Sequence, residues 1–249
     1  VWHELENWRN NLKYTSTLPI FIGYEEREHE AYEVCKFSLE YQNQCRKETG
    51  TWAWDDYPDI IQLRSTEIKE YKRDHGEPQS TDFTFTRFWC PYLCDFEGFS
   101  LFVDCDFLFL AHPIEILKHI DTRKAVSVVQ HPEYLPKGDI KMDGIAQHRS
   151  KRKNWASLIL FNNEHPSNKI LEPDYLNNHL PGLDFHHLAW LDDSEIGSIP
   201  MEWNCLDQYY HMENPKAIHY TEGGPWFGGE YYHTRYAQEW IKYKFKMNS

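Results

Sequence analysis

An apolar run from Gly98 to Leu110, interrupted by two aspartates, constrains this chain more than any other stretch. The apolar residues predict a buried strand, and in an extended chain Asp104 and Asp106 point to one side while Cys105 points to the other. Two neighbouring carboxylates that lose hydration repel each other, so a positive group is expected between them. A divalent cation held by carboxylate oxygens is the simplest candidate. The pattern alone leaves open a strand that merely ends in a solvated acidic turn.

Length and charge narrow the class of protein. A chain of 249 residues suits one α/β domain or two small ones, with a core that needs no disulfides. The net charge of −13 argues against nucleic acid or an anionic membrane as the main partner. No apolar window of about 18 residues occurs, so no transmembrane segment is predicted. The 6 cysteines lack Cys-x-x-Cys spacing, which argues against structural zinc and favours a reduced, cytoplasmic protein, with a Golgi-type lumen left open.

The chain opens with a strand, a glycine turn and a helix. Leu18 to Tyr24 is apolar and reaches a glycine, and a helical pattern follows from Glu25 to a stop at Gly50. An α/β nucleotide-binding domain usually opens in this way. Gly23 would let a ligand approach the backbone closely, although many glycines serve conformation alone.

Further strands and helices alternate along the chain. Strands are predicted at 59–63, 125–130, 155–161, 196–200 and 217–220, and helices at 81–90, 113–120, 166–180 and 230–246. The polar stretch 137–153 is expected to form a loop over the site. This alternation predicts one α/β domain over residues 1–249 with a mostly parallel sheet covered by helices on both faces. Residues 1–18 form its lead-in and residues 228–249 its C-terminal helix.

A third polar feature lies near the C-terminus. His219 ends a predicted strand, and Gly223 and Gly224 follow in a turn whose backbone amides are open to phosphate oxygens. A lone histidine of this kind is usually structural. Together with Asp104 and Asp106 it becomes a candidate third metal ligand.

The order of these motifs resembles the GT-A glycosyltransferases, in particular the family 8 type that includes glycogenin and bacterial galactosyltransferases. The segments that carry the resemblance are Ile20–Tyr24, Phe85–Arg87, Asp104–Asp106, Trp155–Asn162, Leu191–Asp193, Ile199–Asn204 and His219–Trp226. Two departures stand out. Gly224 replaces the lysine that the family has before Pro-Trp, and Trp155 and Ser157 replace an asparagine and a glycine, which implies a different donor sugar.

The resemblance implies a hexosyltransferase that uses a nucleotide sugar. It implies that Asp104, Asp106 and His219 hold Mn²⁺ or Mg²⁺, that the donor is a UDP-sugar, and that the acceptor is a hydroxyl of a glycan, protein or lipid. Asp192 and Asp193 would stabilise the reacting carbon or deprotonate the acceptor, unless they form an exposed acidic turn. The implied donor-binding residues are Ile22, Gly23, Tyr24, Arg27, Arg87, Asp104, Cys105, Asp106, Trp155, Ser157, Gly223 and Gly224.

Two other functions remain open at this stage. A haloacid-dehalogenase-type phosphatase also uses Asp-x-Asp after an apolar strand, with a later acidic pair such as Asp192 and Asp193. That family expects the motif near the start of its core domain, whereas about a hundred residues precede it here. A non-catalytic carbohydrate-binding protein would use the many aromatic side chains, but it would leave the three candidate metal ligands unexplained.

Overall fold

The computed structural model describes residues 18–48, 58–73, 81–132 and 152–249. The predicted lead-in up to residue 17 and the predicted loop up to residue 151 lie outside the described residues. The strands are β1 (Ile20–Gly23), β2 (Ile60–Leu63), β3 (Phe99–Val103), β4 (Phe107–Phe109), β5 (Val126–Val129), β6 (Leu158–Asn162), β7 (Ile196–Ile199), β8 (Cys205–Leu206) and β9 (Ala217–His219). The α-helices are α1 (His29–Glu48), α2 (Cys90–Leu93), α3 (Pro173–Asn178), α4 (Gly182–His186) and α5 (Ala237–Met247).

The central sheet has six strands in the order β2-β1-β3-β6-β5-β7. Strand β1 is parallel to both β2 and β3, and β5 is parallel to β7. Only β6, among the strands described in this sheet, runs the other way, between β3 and β5. The predicted mostly parallel α/β sheet is therefore confirmed. All strands but β6 end at one edge, called here the carboxyl edge, and β6 begins there.

The apolar run around the two aspartates forms two strands rather than one. Strand β3 belongs to the central sheet, whereas β4 pairs with β9 in a separate sheet of order β4-β9-β8. Asp104, Cys105 and Asp106 link the two sheets at the carboxyl edge. Because Asp104 and Asp106 lie between two strands and not within one, their carboxylates can contact residues of the second sheet.

Helix α1 covers the second sheet. It packs against β4 and α5, and its buried residues Ala31, Val34, Cys35, Ser38 and Leu39 recur at helical spacing along one face. Every residue of β1, β4 and β5 is buried. Continuous burial of this kind is typical of strands that are covered on both faces.

Two helices begin later than the sequence predicts. Helix α5 begins at Ala237, not at Glu230, because Gly228 and Gly229 adopt positive φ of 72° and 56° and start a separate 3₁₀ turn. The predicted helix from Thr81 consists of turns, a 3₁₀ helix and then α2, and Pro91 lies in the first turn of α2, where no amide hydrogen is needed. Across the described ranges, no helix combines the length and apolar character needed to cross a membrane.

Candidate functional site

The two aspartates and the distant histidine meet at the carboxyl edge. Ligand atoms of Asp104, Asp106 and His219 all lie within 4.8 Å of one another. The ladder between β4 and β9 pairs Phe107 with His219, which brings Nε2 of the imidazole 3.3 Å from Oδ1 of Asp106. The ring stacks on Phe107 with centroids 4.4 Å apart. The predicted convergence of these three side chains is confirmed, and their role as metal ligands is taken up below.

The chemistry of this cluster fits a divalent cation. Oδ1 of Asp104 and Oδ1 of Asp106 are buried. The first is ion-paired with Arg87 at 2.9 Å and the second lies 3.3 Å from Nε2 of His219, but neither accepts a hydrogen bond of good geometry among the described residues. Burial raises the pKa of Asp104 to about 7, although the charge of Arg87 opposes this shift. An anionic oxygen is costly to bury without a partner. Two carboxylates and one imidazole are ligands that suit Mn²⁺ or Mg²⁺, and the imidazole favours Mn²⁺.

A chain of hydrogen bonds orients the histidine. The Ser157 hydroxyl donates to the carbonyl of Asn154 at 2.7 Å, so its oxygen accepts from Nδ2 of Asn204 at 2.9 Å. Oδ1 of Asn204 therefore faces Nδ1 of His219, also at 2.9 Å. Nδ1 therefore donates to Asn204, and Nε2 is the nitrogen that faces Asp106. Metal-binding histidines are commonly oriented by such a second contact.

Arg87 brings a buried positive charge to the cluster, as the sequence predicts. Its Nη1 lies 2.9 Å from Oδ1 of Asp104 and donates to the carbonyl of Ala156 at 2.8 Å. Its Nε donates to the carbonyl of Thr84 at 3.2 Å. These contacts hold the guanidinium in one position beside the acidic pair.

Glu28 is a fourth carboxylate that the sequence interpretation missed. The thiol of Cys105 donates to its Oε2 at 3.4 Å. Burial, then the charge of Asp106, raise the pKa of Glu28 to about 8. Glu28 lies near the start of the helical pattern that follows Tyr24, and no pattern in the sequence links it to the aspartates.

The end of β1 lies beside aromatic and charged side chains. Ile22 is fully buried, and a Cβ on Gly23 would lie 2.5 Å from Cγ of Phe83, so packing alone requires glycine here. Tyr24 is buried beneath the Arg64 guanidinium, which lies 3.6 Å from its ring centroid. Arg27 has a side chain that is 62% exposed and pairs with Glu25, so it does not line the cluster through a buried contact.

Trp155 and the two glycines have structural contacts of their own. Nε1 of Trp155 donates to the carbonyl of His131 at 3.0 Å. A Cβ on Gly223 would lie 2.6 Å from Tyr231, and one on Gly224 would lie 2.0 Å from Trp226. The turn after His219 thus needs glycines because a side chain at either position would clash with an aromatic ring. Contact between the amides of Gly223 and Gly224 and a phosphate stays a prediction.

Asp192 and Asp193 lie at the other edge of the sheet. They precede β7, whose first residue Ile196 pairs with Val126 at the start of β5. Asp192 caps a 3₁₀ helix in a capping box with Glu195, and the largely exposed Asp193 pairs with Arg152. The structure does not bring these two carboxylates to the metal cluster, and their local contacts match the acidic-turn alternative. A catalytic role for them stays a prediction without structural support.

Two histidines near the site were also missed. His131 follows β5 at the carboxyl edge and is 4% exposed. His186 ends α4, its ring meets Phe88 edge-on with centroids 5.5 Å apart, and burial and the charge of Arg87 hold its pKa well below the usual range. The sequence carries only a weak signal for these two histidines, since His131 follows an apolar strand and His186 ends a short helix, and both elements have the pattern of core segments.

Comparison with known proteins places this geometry in a family and a fold. No protein-family model matches the chain. Protein CDI of Arabidopsis thaliana is 42% identical over 214 residues, which cover 84% of this chain and 79% of that protein. Its name does not state an activity.

Three solved structures share the fold. The bifunctional glycosyltransferase WbbM matches with a TM-score of 0.61 and 15% identity, over 94% of this chain and 52% of WbbM. The galactosyltransferase LgtC matches with a TM-score of 0.54 and 12% identity, over 93% of this chain and 96% of LgtC. The glycosyltransferase GlyE of Streptococcus pneumoniae matches with a TM-score of 0.51 and 13% identity, over 92% of this chain and 60% of GlyE. The chain thus spans only about half the length of WbbM. LgtC was solved with donor and acceptor sugar analogs. At these identities the likeness establishes the fold, and the predicted GT-A fold is confirmed. The chain belongs to the family of Arabidopsis Protein CDI and has the fold of the GT-A glycosyltransferases.

Proposed function

We propose that this protein is a metal-dependent glycosyltransferase that moves a sugar from a nucleoside-diphosphate donor, a UDP-sugar, to a hydroxyl of a glycan or glycoconjugate. The observation that carries the proposal is the cluster of Asp104, Asp106 and His219, in which buried carboxylate oxygens and an imidazole nitrogen lie within 4.8 Å of one another. The cluster lies at the carboxyl edge of a mostly parallel sheet, where ligands of α/β proteins usually bind. The fold shared with glycosyltransferases supports this assignment.

The three clustered side chains would hold Mn²⁺ or Mg²⁺. When bound, this cation supplies Lewis-acid stabilisation of the negative charge that develops on the leaving diphosphate. Arg87 adds a second positive charge that is fixed by its contacts to Asp104 and to the carbonyl of Ala156. Asn204 holds Nε2 of His219 toward the cluster.

The phosphatase alternative loses its support. The Asp-x-Asp motif follows the third strand of the sheet, and the later acidic pair lies at the opposite edge. A phosphatase that used both would need them at one site. The shared fold is also that of glycosyltransferases.

Calorimetry with UDP and Mn²⁺ tests the proposal directly. We expect UDP to bind in the presence of Mn²⁺ and to bind much more weakly in EDTA, and we expect slow Mn²⁺-dependent hydrolysis of a UDP-sugar. Asp106→Asn should abolish both. Asp121→Asn is a matched control, because Asp121 is paired with Arg123 on the surface.

Three results would overturn the proposal. They are UDP binding that ignores Mn²⁺, full activity in Asp106→Asn, and phosphate release from p-nitrophenyl phosphate with no effect of UDP. Sugar binding that needs neither nucleotide nor metal would instead support a carbohydrate-binding protein.

A further inference from the structure

His131 is a buried imidazole whose ring nitrogens make no hydrogen bond of normal length and angle in the described part of the chain. It is 4% exposed, and the side chain of Asn204 is a polar group close to the ring, but its contact falls short of that geometry. A buried polar group without a partner is costly, and such groups often mark a ligand site. The ring therefore needs an explanation beyond packing.

The surroundings hold His131 in one position. Its backbone amide donates to the carbonyl of Val129 at 3.0 Å, and its own carbonyl accepts from Nε1 of Trp155 at 3.0 Å. Its ring stacks on Tyr210 with centroids 5.7 Å apart and planes within 9°. A ring fixed by backbone bonds and by stacking is organised in advance for recognition.

The ring lies close to the residues that orient the metal cluster. Burial lowers the pKa of His131 to about 4, a protonated His219 adds to this shift, and a hydrogen-bonding contact with the side chain of Asn204 opposes it. The imidazole is therefore neutral at neutral pH. A neutral imidazole offers one donor and one acceptor, as a sugar hydroxyl also does.

The position of His131 along the carboxyl edge indicates which part of the donor it meets. Going across the sheet, β1 ends at Tyr24, β3 ends at the metal cluster, β6 begins after Ser157, and β5 ends just before His131. Neighbouring strands are about 4.8 Å apart, so β5 lies roughly 10 Å beyond β3, on the side away from β1. A nucleoside at β1 and a diphosphate at β3 place the sugar in front of β6 and β5.

We propose that His131 binds a hydroxyl group of the transferred sugar and thereby selects the donor sugar. This inference rests on the proposed function, since it needs a nucleoside-diphosphate sugar bound across the edge. A site built to bind a sugar hydroxyl rejects analogues that lack it or place it differently, because its buried polar atoms then stay unpaired. Trp155 takes part by holding the backbone of His131.

The test compares the affinity for UDP with the affinity for UDP-sugars, in Mn²⁺. Calorimetry with UDP, UDP-glucose, UDP-galactose and UDP-xylose gives the gain in affinity that each sugar adds in the wild type. His131→Phe keeps a ring against Tyr210 and removes both nitrogens. We expect it to reduce the gain for the preferred sugar about fivefold, the size of one neutral hydrogen bond, while the Kd for UDP stays unchanged.

A second pair of variants and a control sharpen the test. His131→Asn and His131→Gln restore an amide near Nδ1 or near Nε2, and one of them should recover part of the preference. His112→Phe is the matched control, since His112 is also buried but uses Nδ1 to accept from the amide of Ile114. It should lower the unfolding temperature and leave the sugar preference intact.

The outcomes separate this inference from the proposed function. Failure of the wild type to bind UDP with Mn²⁺ overturns both. Normal UDP binding with an unchanged sugar preference in His131→Phe overturns the role of His131 alone. A large fall in the unfolding temperature of His131→Phe, with no recovery in the amide variants, shows a structural histidine. An unchanged donor preference with a raised KM for the acceptor shows that the ring serves the acceptor instead.

Discussion

Oδ1 of Asn204 lies 2.9 Å from Nδ1 of His219, and this contact determines which imidazole nitrogen faces the two aspartates. The Ser157 hydroxyl fixes the orientation of the Asn204 amide, because the hydroxyl itself donates to a carbonyl. Residues on three different segments thus set the orientation of one imidazole ring. The ligand atom is prepared by a residue that does not touch the cation site.

Asn204→Ala should weaken Mn²⁺ binding without removing a ligand. Loss of the contact frees the ring of His219 and its tautomer, and the loss of such second contacts typically lowers metal affinity about 10–100-fold. Asn204→Asp keeps an acceptor for Nδ1 and should retain more affinity than Asn204→Ala. Calorimetric titration with Mn²⁺ measures the difference. Asn178→Ala, at an exposed amide, is the control, and equal affinities in all variants would refute the role of Asn204.

Arg87→Met should destabilise the metal-free protein. The substitution removes the positive charge beside Asp104 and leaves buried carboxylates uncompensated, which typically costs about 3–5 kcal/mol. Urea unfolding in EDTA measures the loss. Arg123→Met, in an exposed ion pair with Asp121, should have no measurable effect. Equal stability of Arg87→Met and the wild type would mean that the ion pair contributes nothing.

Glu28 should make the metal-free protein less stable as the pH rises. Its pKa is raised from 4.5 to about 8, so between these values the folded state binds more protons than the unfolded state. The free energy of unfolding therefore falls with rising pH across this window. Asp104, with a pKa of about 7, adds a slope of the same sign.

Glu28→Gln removes one of these two contributions. At pH 8.5 in EDTA it should unfold a few degrees above the wild type, and the difference should vanish near pH 4.5. Thermal unfolding across this range measures the effect. Glu230→Gln, at an exposed position, serves as the control. A wild-type unfolding temperature that rises from pH 5 to pH 8 in EDTA would contradict the prediction.

Gly224→Ala should destabilise the turn after His219. Its Cβ would lie 2.0 Å from Cζ3 of Trp226, so the indole must move, and overpacking of this kind costs about 1–3 kcal/mol. Gly229→Ala meets no atom within 4 Å but has a φ of 56°, so it pays only the strain of a left-handed backbone, roughly 1–2 kcal/mol, and no clash. Urea unfolding and UDP–Mn²⁺ affinity should both fall further in Gly224→Ala. A larger effect in Gly229→Ala would mean that backbone conformation, not the indole, limits this turn.

The sequence predicts the sheet and the position of the two aspartates at its edge well, because both depend on strong local patterns. Each apolar strand bounded by glycine and polar residues can be predicted from its own segment of the sequence, and Asp104 and Asp106 come directly after one such strand. The approach of His219 to the two aspartates depends on a long-range contact, because the register between β4 and β9 brings it there. The position of His219 at a strand end before a glycine turn suggests that pairing, and the resemblance to a known family supports it.

Other parts of the site depend on contacts that sequence patterns do not show. Glu28 and His131 reach the carboxyl edge through the packing of separate elements, and neither has a characteristic spacing to the aspartates. Asp192 is different, because a readable signal was overlooked. Asp192 and Glu195 have the spacing of a capping box, which predicts a helix start rather than a catalytic carboxylate.

The antiparallel strand β6 determines where the segment between β5 and β6 begins and ends. Strand β5 ends at the carboxyl edge and β6 begins there, so the segment between them starts and ends at the edge that also holds Asp104 and Asp106. The hydrogen bond from the indole of Trp155 to the carbonyl of His131 joins the two ends of that segment. A change in the length or composition of that segment therefore leaves the ladders on either side in register and needs no rebuilding of the core.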